Sequence, residues 1–350
     1  MLTSIVSFIV VFTVVVLAHE LGHLLFSRKA GIAVIEFGIG FGPKIFSFVM
    51  DKTQYTLNMI PILGFVRIAG LDDEAGLSRN KYSKKENYHS KTPPQKFMSI
   101  FGGPLFNLIL ALVLIYIVLV FNGVPRGISN EIMTISPASE AQKAGMQPGD
   151  KLLAIQGKRV ANPLDAVKMI HNSPGKELLV TIERNGSTKD YRVTPRLNKK
   201  MNIGLIGFSL KPIYEKVGPF TAIYESFSQV IGISLAIIYT IGLLFIGKLS
   251  LLDLAGPVGI AQFTGQVAGQ GIMPLISFTA FLSINLGILN LLPIPALDGG
   301  RLVFIIIEWA RKKAIDIELE NKIHQVGFTV LLILMAVITG HDILRIFRGR

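Results

Sequence analysis

The sequence contains no cysteine and a single tryptophan, and only 17% of its 350 residues are charged. Without cysteine, disulfides, thiolate metal sites and a cysteine nucleophile are excluded, so any metal must be held by His, Asp or Glu. The shortage of charge is set against a hydrophobic fraction of 50% and a mean hydropathy of +0.53. Too little polar material remains to surface a soluble globular chain, which implies a multi-pass membrane protein. The net charge of +12 could suggest nucleic acid as a partner. The basic residues flank apolar runs instead of lining one soluble face, so anionic lipid headgroups fit and nucleic acid does not.

The apolar runs come first in the layout. Leu2 to Phe26 is about 25 residues, enough for a ~30 Å hydrocarbon core. Its cations, Arg28 and Lys29, follow it, and no small-residue cleavage site precedes His19. It therefore reads as a retained span with its C-terminal end in the cytoplasm, not as a signal peptide. Spanning helices are expected over 1–27, 97–121, 272–300 and 326–343, about four in all. Between the first two, Phe37–Pro43 is too rich in glycine for a helix, and the β-branched stretch Tyr55–Ile68 is broken by Pro61 and Gly64. Residues 28–96 thus read as a cytoplasmic-side membrane-associated β-hairpin or sheet followed by a polar loop from Asp72. Backbone of that kind is tolerated at membrane depth only against protein or a watery cavity.

Residues 122–198 change character. Strand-like pieces at Lys151–Ile155, Leu178–Glu183 and Lys189–Val193 surround a helical piece near Leu164–His171, with turn glycines between them. This is one inserted α+β domain. Residues 199–271 read as a linker with an amphipathic or re-entrant helix, and 301–325 as a cytoplasmic-side loop or helix.

The chemistry is concentrated in His19-Glu20-Leu21-Gly22-His23, an HExxH pattern inside an apolar helix. Positions i and i+4 share a helix face, so both imidazoles can reach one metal with Glu20 beside it. Zinc so held acidifies a bound water, and Glu20 is the residue to take its proton and return it to a leaving amine. Ionisable groups placed in a bilayer are functional by default. A catalytic zinc needs a third protein ligand. His89, His171, His324 and His341 each sit alone and read as solvated or structural. Asp298, in Asn290-Leu291-Leu292-Pro293-Ile294-Pro295-Ala296-Leu297-Asp298-Gly299-Gly300, is either a helix cap or that ligand, and the need for a third ligand tips the choice. A lone intramembrane Asn107 is a helix-packing amide or a substrate contact.

With these residues the chain resembles the site-2 protease family of intramembrane zinc metalloproteases, in its bacterial regulator-of-sigma-E protease subgroup. The resemblance takes in HELGH, FGIGFGP, Ile60–Val66, Gly103-Pro104 with Asn107, Gly256-Pro257-Val258-Gly259 and the NLLPIPALDGG run. It implies one catalytic Zn2+ on His19, His23 and Asp298, Glu20 as catalytic glutamate, and Asn290 as a substrate contact near the metal. It also implies substrate pairing along the strand holding Gly64, Phe65 and Val66. Ser136-Pro137-Ala138 and Ala144-Gly145-Met146-Gln147-Pro148-Gly149-Asp150 look like the family's PDZ domain, present here once. The expected substrates are single-pass membrane proteins such as anti-sigma factors or signal-peptide remnants, and the PDZ domain is expected either to take a peptide ligand or to exclude bulky ectodomains.

The ligand set constrains topology. Residues 19–23 and 298 must lie on one side of the membrane, towards the cytoplasm, with the PDZ domain outside a bacterial cytoplasmic membrane. Two full crossings between 198 and 298 would strand Asp298 outside, so 227–246 is expected to be interfacial or re-entrant. Arg345, Arg348 and Arg350 mildly oppose an outside C-terminus under the positive-inside rule. Three rival classes predict other features. An anchored peptidase for soluble peptides would have polar flanks around HELGH. A non-catalytic PDZ scaffold would have lost Glu20 or Asp298. A transporter would carry repeated halves.

Overall fold

A computed structural model describes residues 2–71, 82–198, 201–250 and 255–347. Part of the polar loop after Asp72, and the tail cations Arg348 and Arg350, lie outside the described residues. The chain divides into two compact units, Met1–Phe121 with Pro219–Arg350, and Asn122–Gly218.

In the first unit, helix α1 spans Leu2–Lys29. It stops at Gly31, whose φ of +70° is the left-handed conformation that ends helices, with Arg28 and Lys29 in the last turn against the dipole. Helix α2 covers Pro93–Asn122 and starts earlier than expected, because its two leading prolines suit the first turn, where no N–H partner is needed. The two helices approach closely at Gly22 and Gly102. A Cβ on Gly22 would collide with the Gly102 carbonyl, so small residues set this contact.

Between them, strands β1 (Val34–Met50) and β2 (Thr53–Ile68) form an antiparallel hairpin that folds back on itself. Glu36 pairs with both Gln54 and Arg67, and Ile39 with both Leu57 and Gly64. The first half of β1 is therefore sandwiched between two segments of β2, giving four strand segments. Gly64–Ile68 forms one edge and Lys44–Met50 the other. Buried Glu36 holds the fold-back, accepting from Thr56 Oγ1 at 3.0 Å and pairing with Lys44 at 2.8 Å.

The second unit has a sheet with the order β10-β3-β4-β6-β7. Its strands are β3 (Val124–Ile135), β4 (Lys151–Ile155), β5 (Lys158–Arg159, paired to β4), β6 (Leu178–Arg184) and β7 (Ser187–Val193). Helices α3 (Glu140–Lys143) and α4 (Pro163–His171), the pair β8 (Arg196–Asn198) and β9 (Ile203–Leu205), and β10 (Phe208–Glu215) complete it. Alternating Leu152, Ile155, Val180 and Ile182 are fully buried at its core. The unit runs to Gly218, past the expected end at 198, because β10 pairs back to β3, a long-range pairing invisible to local pattern. Asp150 is tied to Arg184 Nε at 2.7 Å and Nη2 at 2.8 Å and accepts the Gln147 N–H at 2.8 Å. Burial alone would raise this carboxyl. The guanidinium and the amide outweigh burial and hold it below the ordinary carboxylate range.

The chain then returns to the first unit through α5 (Pro219–Phe245), α6 (Pro257–Ala268), α7 (Ile272–Asn290), α8 (Asp298–Arg311) and α9 (Ile317–Phe347). Among the described residues five helices are long and apolar enough to cross a membrane: Thr3–Lys29, Pro93–Asn122, Pro219–Phe245, Ile272–Asn290 and Ile317–Leu344. That is one more than the four expected, the extra one being α5. The expected single span over 272–300 is two pieces. Pro293 and Pro295 cannot continue a helix, so α7 ends at Asn290 and Asp298 opens a new one. Residues 301–325 are mostly helical, and α9 exceeds the expected 326–343 at both ends.

Candidate metal centre

His19 and His23 stand one turn apart on α1, both buried, with their Nε2 atoms 3.1 Å apart and their rings nearly perpendicular. Asp298, the first residue of α8, brings Oδ2 to 3.1 Å from His19 Nε2 and 3.3 Å from His23 Nε2. The turn that delivers it is tight: a Cβ on Gly299 would collide with the Leu292 carbonyl, and one on Gly300 would sit 2.5 Å from the Ile294 oxygen. Among the described residues this is the one trio of His, Asp or Glu close enough to share a metal.

The donor set fits zinc. Three ligands at ~2.0–2.1 Å in a tetrahedral arrangement lie ~3.3 Å from one another, and the observed edges are 3.1, 3.1 and 3.3 Å. Asp298 Oδ2 is buried yet accepts no hydrogen bond, so hydrogen bonding alone does not account for the cluster. A buried carboxylate atom left so is costly unless a cation meets it. His19, His23 and Asp298 are the residues that would hold that cation.

Each imidazole is oriented from behind. His23 Nδ1 donates to the Ser99 carbonyl at 2.9 Å, and a Cβ on Gly103 would collide with the His23 ring. Behind His19 lies Asn107, 0% exposed, whose amide is 3.3 Å from Nδ1 while its Oδ1 is buried without a hydrogen bond. Amide oxygen and nitrogen are nearly indistinguishable in shape. Turning the amide over lets Oδ1 accept the His19 Nδ1–H, which repairs the orphan and leaves the Nε2 lone pair facing the trio. Asn107 is thus packed behind His19 with none of its surface exposed. Ser283 Oγ donates to the Asn107 carbonyl at 2.7 Å and fixes α7 against α2.

Glu20 is half-buried on the next position of α1. Gly64 lies against it: a Cβ there would be 3.6 Å from Glu20 Cγ and 3.0 Å from Leu17. The edge segment of β2 therefore passes directly beside the HExxH helix. Along it Phe65 covers Gly38, whose missing side chain makes room for the ring, and Val66 packs into a cluster with Ile32, Ile68 and Ile100. These two side chains are committed to the fold, and what the edge offers outward is backbone. Asn290, at the end of α7, holds its amide 3.4 Å from His19 Nε2. The HExxH spacing pointed to His19, His23 and Glu20, the need for a third ligand to Asp298, and the family resemblance to Asn290 and Gly64. They missed the roles of the Ser99 carbonyl and Gly103, although the Gly102-Gly103-Pro104 run signalled a close approach.

A model of peptidase family M50 matches residues 7–334. Zinc metalloprotease RasP of Geobacillus kaustophilus is 37% identical, the alignment covering 99% of each chain. Regulator of sigma-W protease RasP of Bacillus subtilis is 36% identical over 98% of this chain and 99% of its own length. The crystal structure of a PDZ domain from an SdrC-like protein of Listeria monocytogenes aligns with 24% of this chain and 86% of its own, at 19% identity and a TM-score of 0.21.

Proposed function

Because the chain belongs to peptidase family M50 and is an intramembrane zinc metalloprotease, we propose that His19, His23 and Asp298 hold its one zinc and that Glu20 is its catalytic proton carrier. The observation that carries this is the triangle of Nε2, Nε2 and Oδ2 with edges of 3.1–3.3 Å around a carboxylate oxygen that accepts no hydrogen bond. When bound, zinc supplies a Lewis acid that lowers the pKa of water and polarises the scissile carbonyl. Glu20 takes the proton of the attacking water and hands it to the departing amine. Asn290, within reach of His19, contacts the substrate.

A helical substrate hides its carbonyls in its own hydrogen bonds. The Gly64–Arg67 edge, with α1 alongside, supports a reading in which a substrate segment unwinds and pairs as an added strand beside Glu20. The substrates in this proposal are single-pass membrane proteins such as anti-sigma factors or signal-peptide remnants. Residues 122–218 are read as a PDZ domain, on the extracytoplasmic side of a bacterial cytoplasmic membrane, available to a peptide ligand. The basic residues Arg28, Lys29, Arg311, Lys312 and Lys313 at helix ends favour a cytoplasmic, anionic lipid face on the side of the zinc. In this topology four helices cross and α5 does not.

The test is cleavage of a single-pass substrate by purified wild type and Glu20→Gln, with zinc measured in both. A loss of about 10²- to 10⁴-fold in rate with zinc retained is the expected result. Equal rates would remove Glu20 from the mechanism.

A further inference from the structure

Helix α9 bears on the turn before Asp298 at two neighbouring points. His324 Nδ1 accepts a 2.9 Å hydrogen bond from the Ala296 N–H. A Cβ on Gly327, one turn along, would stand 2.5 Å from Pro295 Cβ and 2.7 Å from its carbonyl oxygen. The clamped residue is an unusual one, since Ala296 has φ +79°, a backbone conformation that side chains disfavour. Two residues later comes Asp298. The flanking Pro293 and Pro295 have no N–H to offer, so the Ala296 amide is a scarce handle by which this turn can be gripped.

His324 has little other occupation. Its ring packs 5.7 Å from Phe304, and its Nε2 is buried with no hydrogen-bond partner. At the far end of α9, Asp342 Oδ2 accepts the Gly259 N–H at 2.9 Å, in the first turn of α6. Gly256, the residue that caps α6, has no side chain to do this, and a Cβ there would be 2.7 Å from that same oxygen. Positions 324 and 342 are five turns apart at ~3.6 residues per turn, so both polar pins lie on one face of α9. A helix fixed at both ends can neither slide nor rotate freely, and its register sets where Ala296, and with it Asp298, is held.

We infer that His324 is a positioning residue for the metal centre: its Nδ1 holds the Pro295–Asp298 turn so that the Asp298 carboxylate meets the two imidazoles. This rests on the zinc reading above. Asn and Leu are close in size, but only Asn offers an acceptor at the place of Nδ1. Full-length His324→Asn and His324→Leu are compared with wild type for zinc retention against a graded chelator, with His23→Ala as reference. His324→Leu should weaken zinc binding about 10- to 100-fold, the range for losing a group that orients a ligand, while His324→Asn stays within about threefold of wild type. Leu retaining zinc like wild type, or Asn losing it as Leu does, would overturn the acceptor role. If His23→Ala retained zinc, the ligand assignment itself would fall, and the two failures are thereby distinguished.

Discussion

In the proposed metal centre the two nitrogens of His19 have opposite duties. Nε2 must present a lone pair to the trio, so Nδ1 must carry the proton, and that proton needs an acceptor in a buried place. Asn107, across the α1–α2 contact, is the group at hand, 3.3 Å away. Asn107→Asp, which keeps an oxygen there, should retain zinc. Asn107→Leu should lower zinc affinity about 10- to 100-fold. Metal analysis of both proteins after dialysis against chelator checks this, and equal zinc in the two would sink the assignment. The two histidines of the proposed centre were legible in the sequence because HExxH carries its geometry in its spacing. Asn107 was legible only as an anomaly, an amide in an apolar run, since its partner lies 88 positions earlier.

At the scale of elements, the proposed substrate edge is set by the hairpin. Among the described residues, strand segment Gly64–Arg67 pairs as a strand with the first half of β1 and with no other strand. Successive N–H groups along a strand alternate in direction, so of Phe65 and Val66 one points its N–H towards β1 and the other away. Proline at the outward position removes a donor from the free edge without touching the hairpin's own ladder. Of Phe65→Pro and Val66→Pro, one should fold and keep zinc yet lose at least about tenfold in cleavage, at roughly 1.4 kcal/mol per factor of ten. Full cleavage by both would refute edge pairing. The sequence pointed to a broken apolar β stretch. It could not give the fold-back, because the pairing of Glu36 with both Gln54 and Arg67 depends on register across two turns. Likewise the NLLPIPALDGG run looked like the end of one span, whereas its prolines split it into a helix end, a turn and the start of α8.

For the whole molecule, the absence of cysteine makes topology directly measurable. In the proposed arrangement, single cysteines at Ser250 and Lys189 react with an impermeant maleimide from the same side, and one at Lys312 from the other. Ser250 reacting together with Lys312 would mean that α5 crosses. The second unit has its own pH signature. Asp150 has a folded-state carboxyl pKa below its ordinary value, so its contribution to stability is present above pH ~3.9 and is lost as pH falls through the folded value. Arg184→Met should therefore destabilise residues 122–218 by roughly 3 kcal/mol at pH 7, near the low end for breaking a buried pair because Arg184 is partly exposed. The gap should narrow below pH ~4 in hydrogen exchange of the β4 and β6 amides. An unchanged gap there would mean that the pair does not carry the effect.

What the sequence by itself determined is whatever short-range physics can encode: apolar runs long enough to span, a helix face bearing His19, Glu20 and His23, prolines and glycines that stop elements, and a domain of alternating strands. Tertiary structure alone decided the rest. The position of Asp298 depends on a turn in contact with α9, the surroundings of His19 on an amide in α2, and the edge beside Glu20 on a hairpin folded twice. Each of these joins residues far apart in the chain, and a contact between distant residues leaves no period or spacing in the sequence from which it can be read.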